Sequence, residues 1–138
     1  LLLLDEPSMG LSPIMVENRH TGALELVVGS SGGSRIITAN IFTTYAYLSH
    51  HGNVSMDEVI AYPRWHDQLL PPVTVFEYPG GQMPGYDNAT VRALTTKGHR
   101  AAYVAPGLSN AQAIQHTPLG SWHAASELRQ CEARGAAI

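Results

Sequence analysis

The stretch LVVGSSGGSRIIT, residues 26 to 38, contains an apolar strand, a turn with two adjacent glycines and the start of a helix. Glycine accepts the backbone conformations that such a turn requires and lets another molecule approach the main chain closely. The first N–H groups of a helix have no partner within the helix, and the helix dipole adds a partial positive charge there. The pattern therefore predicts a pocket for an anion or an oxyanion at this turn.

Strands and helices alternate along the rest of the chain. Apolar residues recur at helical spacing at Ile37, Ile41 and Leu48, which predicts a helix over residues 34 to 49. Ser55 followed by Glu58 is the pattern of a capping box and predicts a short helix before Pro63. A third helix is predicted from residue 87 or 88 to residue 97, and strands are predicted over residues 24 to 28, 73 to 78, 100 to 104, 111 to 116 and 122 to 126.

Composition is that of an ordinary globular domain. The chain has 138 residues, of which 44% are hydrophobic and 14% charged, with a formal net charge of −3. Lys and Arg are not clustered, so no nucleic-acid partner is expected. The longest apolar run is the four leucines at residues 1 to 4, far below the ~20 residues of a membrane span.

Cysteine and histidine usage gives no sign of a metal or redox centre. Cys131 is the single cysteine, so no internal disulfide forms. The seven histidines show no H-x-x-x-H or H-E-x-x-H spacing. We therefore expect no metal site and no cofactor.

The glycine turn resembles the C-terminal part of the small subunit of gamma-glutamyltranspeptidases. The family pattern there is V-x-G-[ST]-x-G-G-S-R-I-I-T, and the similarity extends over about residues 12 to 138. Four further segments agree in order and spacing: AYPRWHDQ at residues 61 to 68, KGH at 97 to 99, QAI at 112 to 114 and AASELR at 124 to 129.

This resemblance implies an α/β (α+β) fold, a partial αββα sandwich of the N-terminal-nucleophile hydrolase type. Such an enzyme is made as a precursor that cleaves itself to expose a threonine. The threonine attacks the γ-glutamyl amide of glutathione and passes the acyl group to an amino acid, a peptide or water. The implied partners are a γ-glutamyl substrate such as glutathione and the large-subunit region of the same precursor. By the same resemblance, Gly32 and Gly33 hold the oxyanion, and Ser12 and Ser31 are candidate substrate-binding residues.

The chain departs from the family pattern at the nucleophile. The family motif T-T-H-x-[SC] does not occur, and Thr43-Thr44 is followed by Tyr45 inside a predicted helix, as a structural pair. A family Ser-Ser pair that contacts the substrate carboxylate is replaced by Met9-Gly10. The chain is therefore expected to be inactive by itself. The alternative is a catalytically dead fragment or an interaction module.

The first thirteen residues, LLLLDEPSMGLSP, carry a second resemblance, to the Walker B strand of an ABC-transporter ATPase of the branched-chain amino acid type. The sequence lacks a G-x-x-x-x-G-K-[ST] phosphate loop, so a nucleotide-binding fragment is the least favoured function. We interpret residues 1–13 as a fused or foreign segment and residues 14–138 as the gamma-glutamyltranspeptidase region.

Two N-x-[ST] sequons predict glycosylation at Asn53 and Asn88. Residues 86 to 91 and 105 to 107 look more like fungal than bacterial family members. The parent enzyme is accordingly expected to be secreted, or attached to a membrane through a region outside this sequence.

Three local expectations complete the analysis. Arg35 at the helix start is expected to pair with a carboxylate, because a cation there opposes the helix dipole. His66 is expected to bond to loop backbone beside Arg64. Leu128 stands where the family has Pro or Asp, so no anchoring role is predicted for Arg129. Half of a sandwich also leaves an inner face exposed, which predicts that the chain alone is either marginally folded or dependent on a partner.

Overall fold

The computed structural model describes residues 13 to 50, 53 to 80 and 85 to 129. Within them the elements are β1 (Ile14–Glu17), β2 (Leu24–Ser31), α1 (Arg35–Ser49), α2 (Met56–Ala61), β3 (Trp65–His66), β4 (Thr74–Glu77), α3 (Asn88–Thr96), β5 (Ala101–Val104), β6 (Asn110–His116) and β7 (Trp122–Ala125). The chain is therefore an α+β protein, as expected.

The strands form two sheets. The larger has the order β1-β2-β6-β7 and is antiparallel throughout, with Val28 opposite Ala113 and Ser31 opposite Asn110. The smaller has the order β3-β4-β5, and its β4 and β5 are parallel. Because β2 is one of the two central strands of the larger sheet and leads directly into α1, the glycine turn follows a strand that is paired on both sides.

The hydrophobic core lies between the larger sheet and the helices on one of its faces. Leu26 and Val28 of β2 are fully buried, as are Met56 and Ile60 of α2. On the opposite face of the sheet, Ile114 is 39% exposed. Within the described residues, helices cover one face of this sheet, which fits half of an αββα sandwich.

Helix capping explains two of the helix starts. The backbone N–H of Asp57 donates to Ser55 Oγ over 3.3 Å, and the Ser55 N–H donates to Glu58 Oε2 over 3.3 Å, which completes the predicted capping box. At the start of α3, the Thr90 N–H donates to Asp87 Oδ1 over 2.8 Å.

Strands β1 and β3 were not predicted.

Helix α1 presents large apolar side chains on its outer side. Its core face consists largely of small and polar residues, among them Thr43, whose hydroxyl donates to the Ala39 carbonyl. The periodic apolar residues that predicted the helix lie on the outside instead. We call them the outer stripe: Ile37 (67% exposed), Ile41 (58%), Tyr45 (69%) and Leu48 (40%).

Candidate active site: the glycine turn and its supports

The glycine turn connects β2 to α1 through two residues with positive φ. Gly32 has φ +134° and Gly33 has φ +64°, in the region that L side chains rarely adopt. A Cβ on Gly32 would also lie 3.2 Å from the Cα of Ser109, so backbone conformation and packing both require glycine there. A Cβ on Gly33 would meet nothing within 4 Å, so that side of the turn is open.

The turn uses its carbonyls and leaves N–H groups free. The Arg35 N–H donates to the Gly32 carbonyl over 3.3 Å, and the Ile36 N–H donates to the Gly33 carbonyl over 3.1 Å. Among the described residues, no hydrogen bond is formed by the Gly33 or Ser34 N–H. These exposed donors stand at the positive end of the 15-residue helix α1. The arrangement suits a negatively charged oxygen.

The loop before β6 forms the floor of the turn. Leu108 and Ser109 are 4% exposed and lie directly against Gly32. Arg64 holds this loop from the other side, because its Nη1 donates to the Ser109 carbonyl and to Ser109 Oγ (3.2 Å). The position of Gly32 therefore depends on a buried arginine.

Arg64 belongs to a network of four buried charges. Its Nη1 is 2.8 Å from Glu127 Oε2, and Arg129 reaches Glu127 Oε1 over 3.0 Å and Glu77 Oε2 over 2.7 Å. Glu77 and Glu127 are 0% and 1% exposed. Two carboxylates and two guanidinium groups balance one another, which is the condition for burying charges.

Glu77 also holds the floor loop directly. Its Oε1 accepts hydrogen bonds from the N–H groups of Gly107 (2.9 Å) and Leu108 (3.2 Å). Its Oε2 accepts from the backbone N–H of Arg64 over 3.0 Å. One carboxylate thus connects β4, the floor loop and the segment that carries Arg64.

The charges in this network have shifted pKa values. Burial acts to raise the pKa of Glu77, but hydrogen bonds from Arg129 and the Gly107 N–H outweigh it and hold that pKa below its ordinary value. Burial acts to lower the pKa of Arg129, and its hydrogen bonds to Glu77 outweigh that and raise it. For Arg64, burial prevails over the attraction of Glu127 and lowers the pKa.

The expectation that Arg129 has no anchoring role is wrong. Besides its two carboxylate partners, Arg129 donates to the carbonyls of Ile60 (2.9 Å) and Tyr62 (2.8 Å). The side chain of Leu128, in contrast, is 52% exposed. The anchor is made by the guanidinium group itself, so the identity of the preceding residue does not decide it.

His66 bonds to side chains rather than to loop backbone, which corrects the second local expectation. It lies in β3, is 8% exposed, and places its Nδ1 2.7 Å from Thr38 Oγ1 of α1. Its Nε2 lies 3.2 Å from Gln68 Oε1 and 3.5 Å from Ser34 Oγ. These four side chains, the His66 cluster, stand directly beside the glycine turn.

Arg35 contacts a carbonyl rather than a carboxylate. Its Nη1 lies 3.4 Å from the Leu108 oxygen, and within the described ranges no Asp or Glu pairs with it. Ser31 ends β2 beside the turn, where its hydroxyl oxygen accepts from the Asn110 side chain over 3.5 Å. Ser12 lies outside the described residues.

The other residues that the sequence singled out take no part in the hydrogen bonds of the turn. Thr43 and Thr44 are buried inside α1. Asn53 and Asn88 are exposed, and their glycosylation stays a prediction. In the part of the chain that the structure describes, no group of three His, Cys, Asp or Glu side chains could hold a metal ion. None of the helices described there is long and apolar enough to cross a membrane.

Comparison with known proteins identifies the family. The family model "Gamma-glutamyltranspeptidase" matches residues 6–137, so the chain belongs to the gamma-glutamyltranspeptidase family. Its sequence is 30% identical over 123 residues to a glutathione hydrolase from Aspergillus flavus, covering 89% of this chain and 19% of that protein. It is 31% identical over 126 residues to the Escherichia coli glutathione hydrolase proenzyme, covering 91% of this chain and 20% of that protein. The chain thus spans about a fifth of the length of these relatives.

Solved structures agree on the fold. A gamma-glutamyltranspeptidase variant from Helicobacter pylori superposes with a TM-score of 0.74 at 26% identity, covering 94% of this chain and 66% of that one. The expected N-terminal-nucleophile hydrolase architecture is thereby confirmed. The family match includes part of the segment that resembles a Walker B strand. Residues 1–12 lie outside the described residues, and a separate origin for residues 1–13 stays a prediction.

Proposed function

We propose that this chain forms part of a γ-glutamyltransferase or glutathione hydrolase, in which its glycine turn stabilises the oxyanion formed when the γ-glutamyl amide is attacked. The N–H groups of the Gly32-Gly33 turn serve as the donors, and the Gly33 N–H is one of the two that have no hydrogen-bond partner in the described part of the chain. The substrate class is γ-glutamyl amides such as glutathione, and Ser31 and Ser12 are proposed to contact the substrate.

One observation carries this proposal: the turn faces solvent with donors that the described part of the chain leaves unused. A donor aimed at a developing negative oxygen accelerates acyl transfer because it binds the transition state more strongly than the ground state. The charge network supports the same role, since it fixes the loop against which Gly32 packs. Pre-arranged donors need no reorganisation during the reaction.

The nucleophile in this proposal is a threonine outside the chain, in a region that acts together with it. The chain alone should therefore bind a γ-glutamyl compound without hydrolysing it. Calorimetric titration of the 138-residue chain with glutathione tests the pocket, and release of p-nitroaniline from γ-glutamyl-p-nitroanilide tests for turnover. Binding without turnover supports the proposal, whereas a chain that neither binds glutathione nor gains turnover with the nucleophile-bearing region contradicts it.

The outer stripe favours a second candidate, an interaction module without catalysis. Four large apolar side chains are exposed along one side of α1, and such a surface marks a contact with another protein region. In that case the chain would bind a protein partner while glutathione would not bind. The same titration separates the two functions.

A further inference from the structure

We propose that His66 is a positioning residue: it holds the first turn of α1 so that the free N–H groups of the glycine turn keep one direction. The effect on the direction of these N–H groups does not depend on which reaction the protein catalyses. Its consequence for turnover rests on the proposed function.

The His66 ring spans one turn of the helix. Ser34, the N-cap residue directly before α1, and Thr38 are four residues apart and lie on the same side of the helix start. Ring nitrogen Nδ1 lies 2.7 Å from Thr38 Oγ1, and Nε2 lies 3.5 Å from Ser34 Oγ. Because β3 supplies the ring from the second sheet, it connects the helix start to a separate element.

Gln68 selects the tautomer of the ring. Its Nε2 donates to the Leu70 carbonyl over 3.1 Å, so its Oε1 is the atom that faces His66 Nε2 at 3.2 Å. Oε1 is an acceptor, which assigns the proton to His66 Nε2. His66 Nδ1 then accepts from the Thr38 hydroxyl. Every donor in the cluster has an acceptor.

Within the cluster, the Ser34 hydroxyl does not make the hydrogen bond that is usual for a serine at the N-cap. A serine at the N-cap normally bonds its oxygen to an N–H of the first helical turn. Ser34 occupies this position, yet it makes no such bond, and its backbone is helical with φ −58° and ψ −19°. Its hydroxyl donates to Gln68 Oε1 over 3.0 Å instead. The hydroxyl therefore links the start of α1 to the segment after β3 and does not cap the helix.

Amide NMR spectra of the full 138-residue chain test the geometry. His66→Ala should shift the Gly32, Gly33 and Ser34 amide resonances and speed hydrogen exchange at Ile36 about two- to tenfold, the effect of losing one typical hydrogen bond. His66→Asn keeps a polar atom near the Nδ1 position and should restore much of the wild-type pattern.

The matched control is His123→Ala. The His123 ring contacts Asp57 over 3.0 Å, on β7 and away from the turn, so the turn resonances should not move. Should His66→Ala fail to fold, Thr38→Val removes the hydroxyl while keeping the side-chain shape and should give the same shifts. Unchanged turn resonances in a folded His66→Ala or Thr38→Val chain would overturn the proposal.

Turnover provides a second readout that separates this inference from the proposed function. In the protein that joins this chain to its nucleophile, Thr38→Val should lower kcat for γ-glutamyl-p-nitroanilide and leave KM nearly unchanged. Shifted turn resonances with an undiminished kcat would keep His66 as a positioning residue and contradict the oxyanion role of the turn. If the turn resonances of Thr38→Val do not shift, the positioning role of His66 is contradicted, whatever value kcat takes.

Discussion

Arg129 Nη2 lies 2.7 Å from Glu77 Oε2, and both side chains are at most 1% exposed. This ion pair joins the segment after β7 to the end of β4. Because Glu77 also accepts the N–H groups of Gly107 and Leu108, the pair reaches the loop under Gly32. The position of the glycine turn is thus linked to charges buried in the interior.

Removing Arg129 should strongly destabilise the fold. Arg129→Ala leaves two buried carboxylates with too little positive charge, and breaking a buried pair in this way costs about 3–5 kcal/mol. Arg129→Lys should recover only part of this loss, because an ammonium group cannot reproduce the contacts of the planar guanidinium. Urea unfolding of the chain measures both, with the exposed Arg92→Ala as control. A loss below about 1 kcal/mol, the range of surface ion pairs, would contradict the network.

Acid should weaken the fold through Glu77. Its pKa is lower in the folded protein than in the unfolded chain. Its ionised form therefore adds stability that is fully present above the unfolded pKa of about 4.3 and is lost as the pH falls through the folded pKa. A ¹³C titration of the Glu77 carboxyl should give a midpoint below that value. Glu17→Gln, which removes an exposed carboxyl group on β1 outside this network, is the matched control. A Glu77 midpoint above about 4.3 would reverse the sign of the effect.

Gly32 should tolerate substitution less well than Gly22. Both have positive φ, but a Cβ on Gly32 meets Ser109 backbone at 3.2 Å, whereas a Cβ on Gly22 meets nothing within 4 Å. Gly22→Ala should cost about 1–2 kcal/mol, the penalty of a left-handed conformation, and Gly32→Ala should cost more. Thermal unfolding of the two variants compares them. An equal loss of unfolding free energy in both variants would mean that the loop of Leu108 and Ser109 moves away from the added Cβ without resistance.

The outer stripe should be a contact surface rather than part of this chain's own core. Ile41→Lys should therefore reduce the binding of a hydrophobic dye and change the unfolding free energy by no more than about 0.5 kcal/mol. Ile60→Ala, at a fully buried position, should cost about 2–5 kcal/mol. Should Ile41→Lys destabilise the chain as much as Ile60→Ala, the stripe would belong to the core.

Most helices and central strands could be predicted because their signals are local. Ser55 and Glu58 cap α2 within four residues, and apolar spacing identified α1. The same spacing did not reveal that its apolar residues face outward, since periodicity gives a face without saying which layer covers it. The short strand β3 (Trp65–His66) depends on pairing with β4, which no local pattern encodes.

The glycine turn could be found from sequence, but its supports could not. Arg64, Glu77, Glu127 and Arg129 are far apart in the chain and meet only after both sheets have formed. Arg64, Glu127 and Arg129 lie in segments that resemble the family pattern, but the resemblance does not show that they pair with one another, and Glu77 is marked only by its place at the end of an apolar strand. His66 was recognised within a conspicuous segment, yet its partners Thr38 and Ser34 lie on another element.

The most direct test compares Gly33→Ala with Gly22→Ala in the protein that joins this chain to its nucleophile, with kcat for γ-glutamyl-p-nitroanilide as the readout. The two glycines have φ +64° and +69°, and neither has a neighbour within 4 Å of an added Cβ, so the backbone strain is matched. If the turn stabilises the oxyanion, the Cβ of Gly33→Ala stands on the open side of the turn, where the oxygen approaches the N–H groups, and should lower kcat by up to about 10²- to 10³-fold, the effect of a donor that can no longer reach the oxyanion, while Gly22→Ala leaves kcat unchanged. An equal and small effect of both variants would contradict the assignment of the active site to this turn.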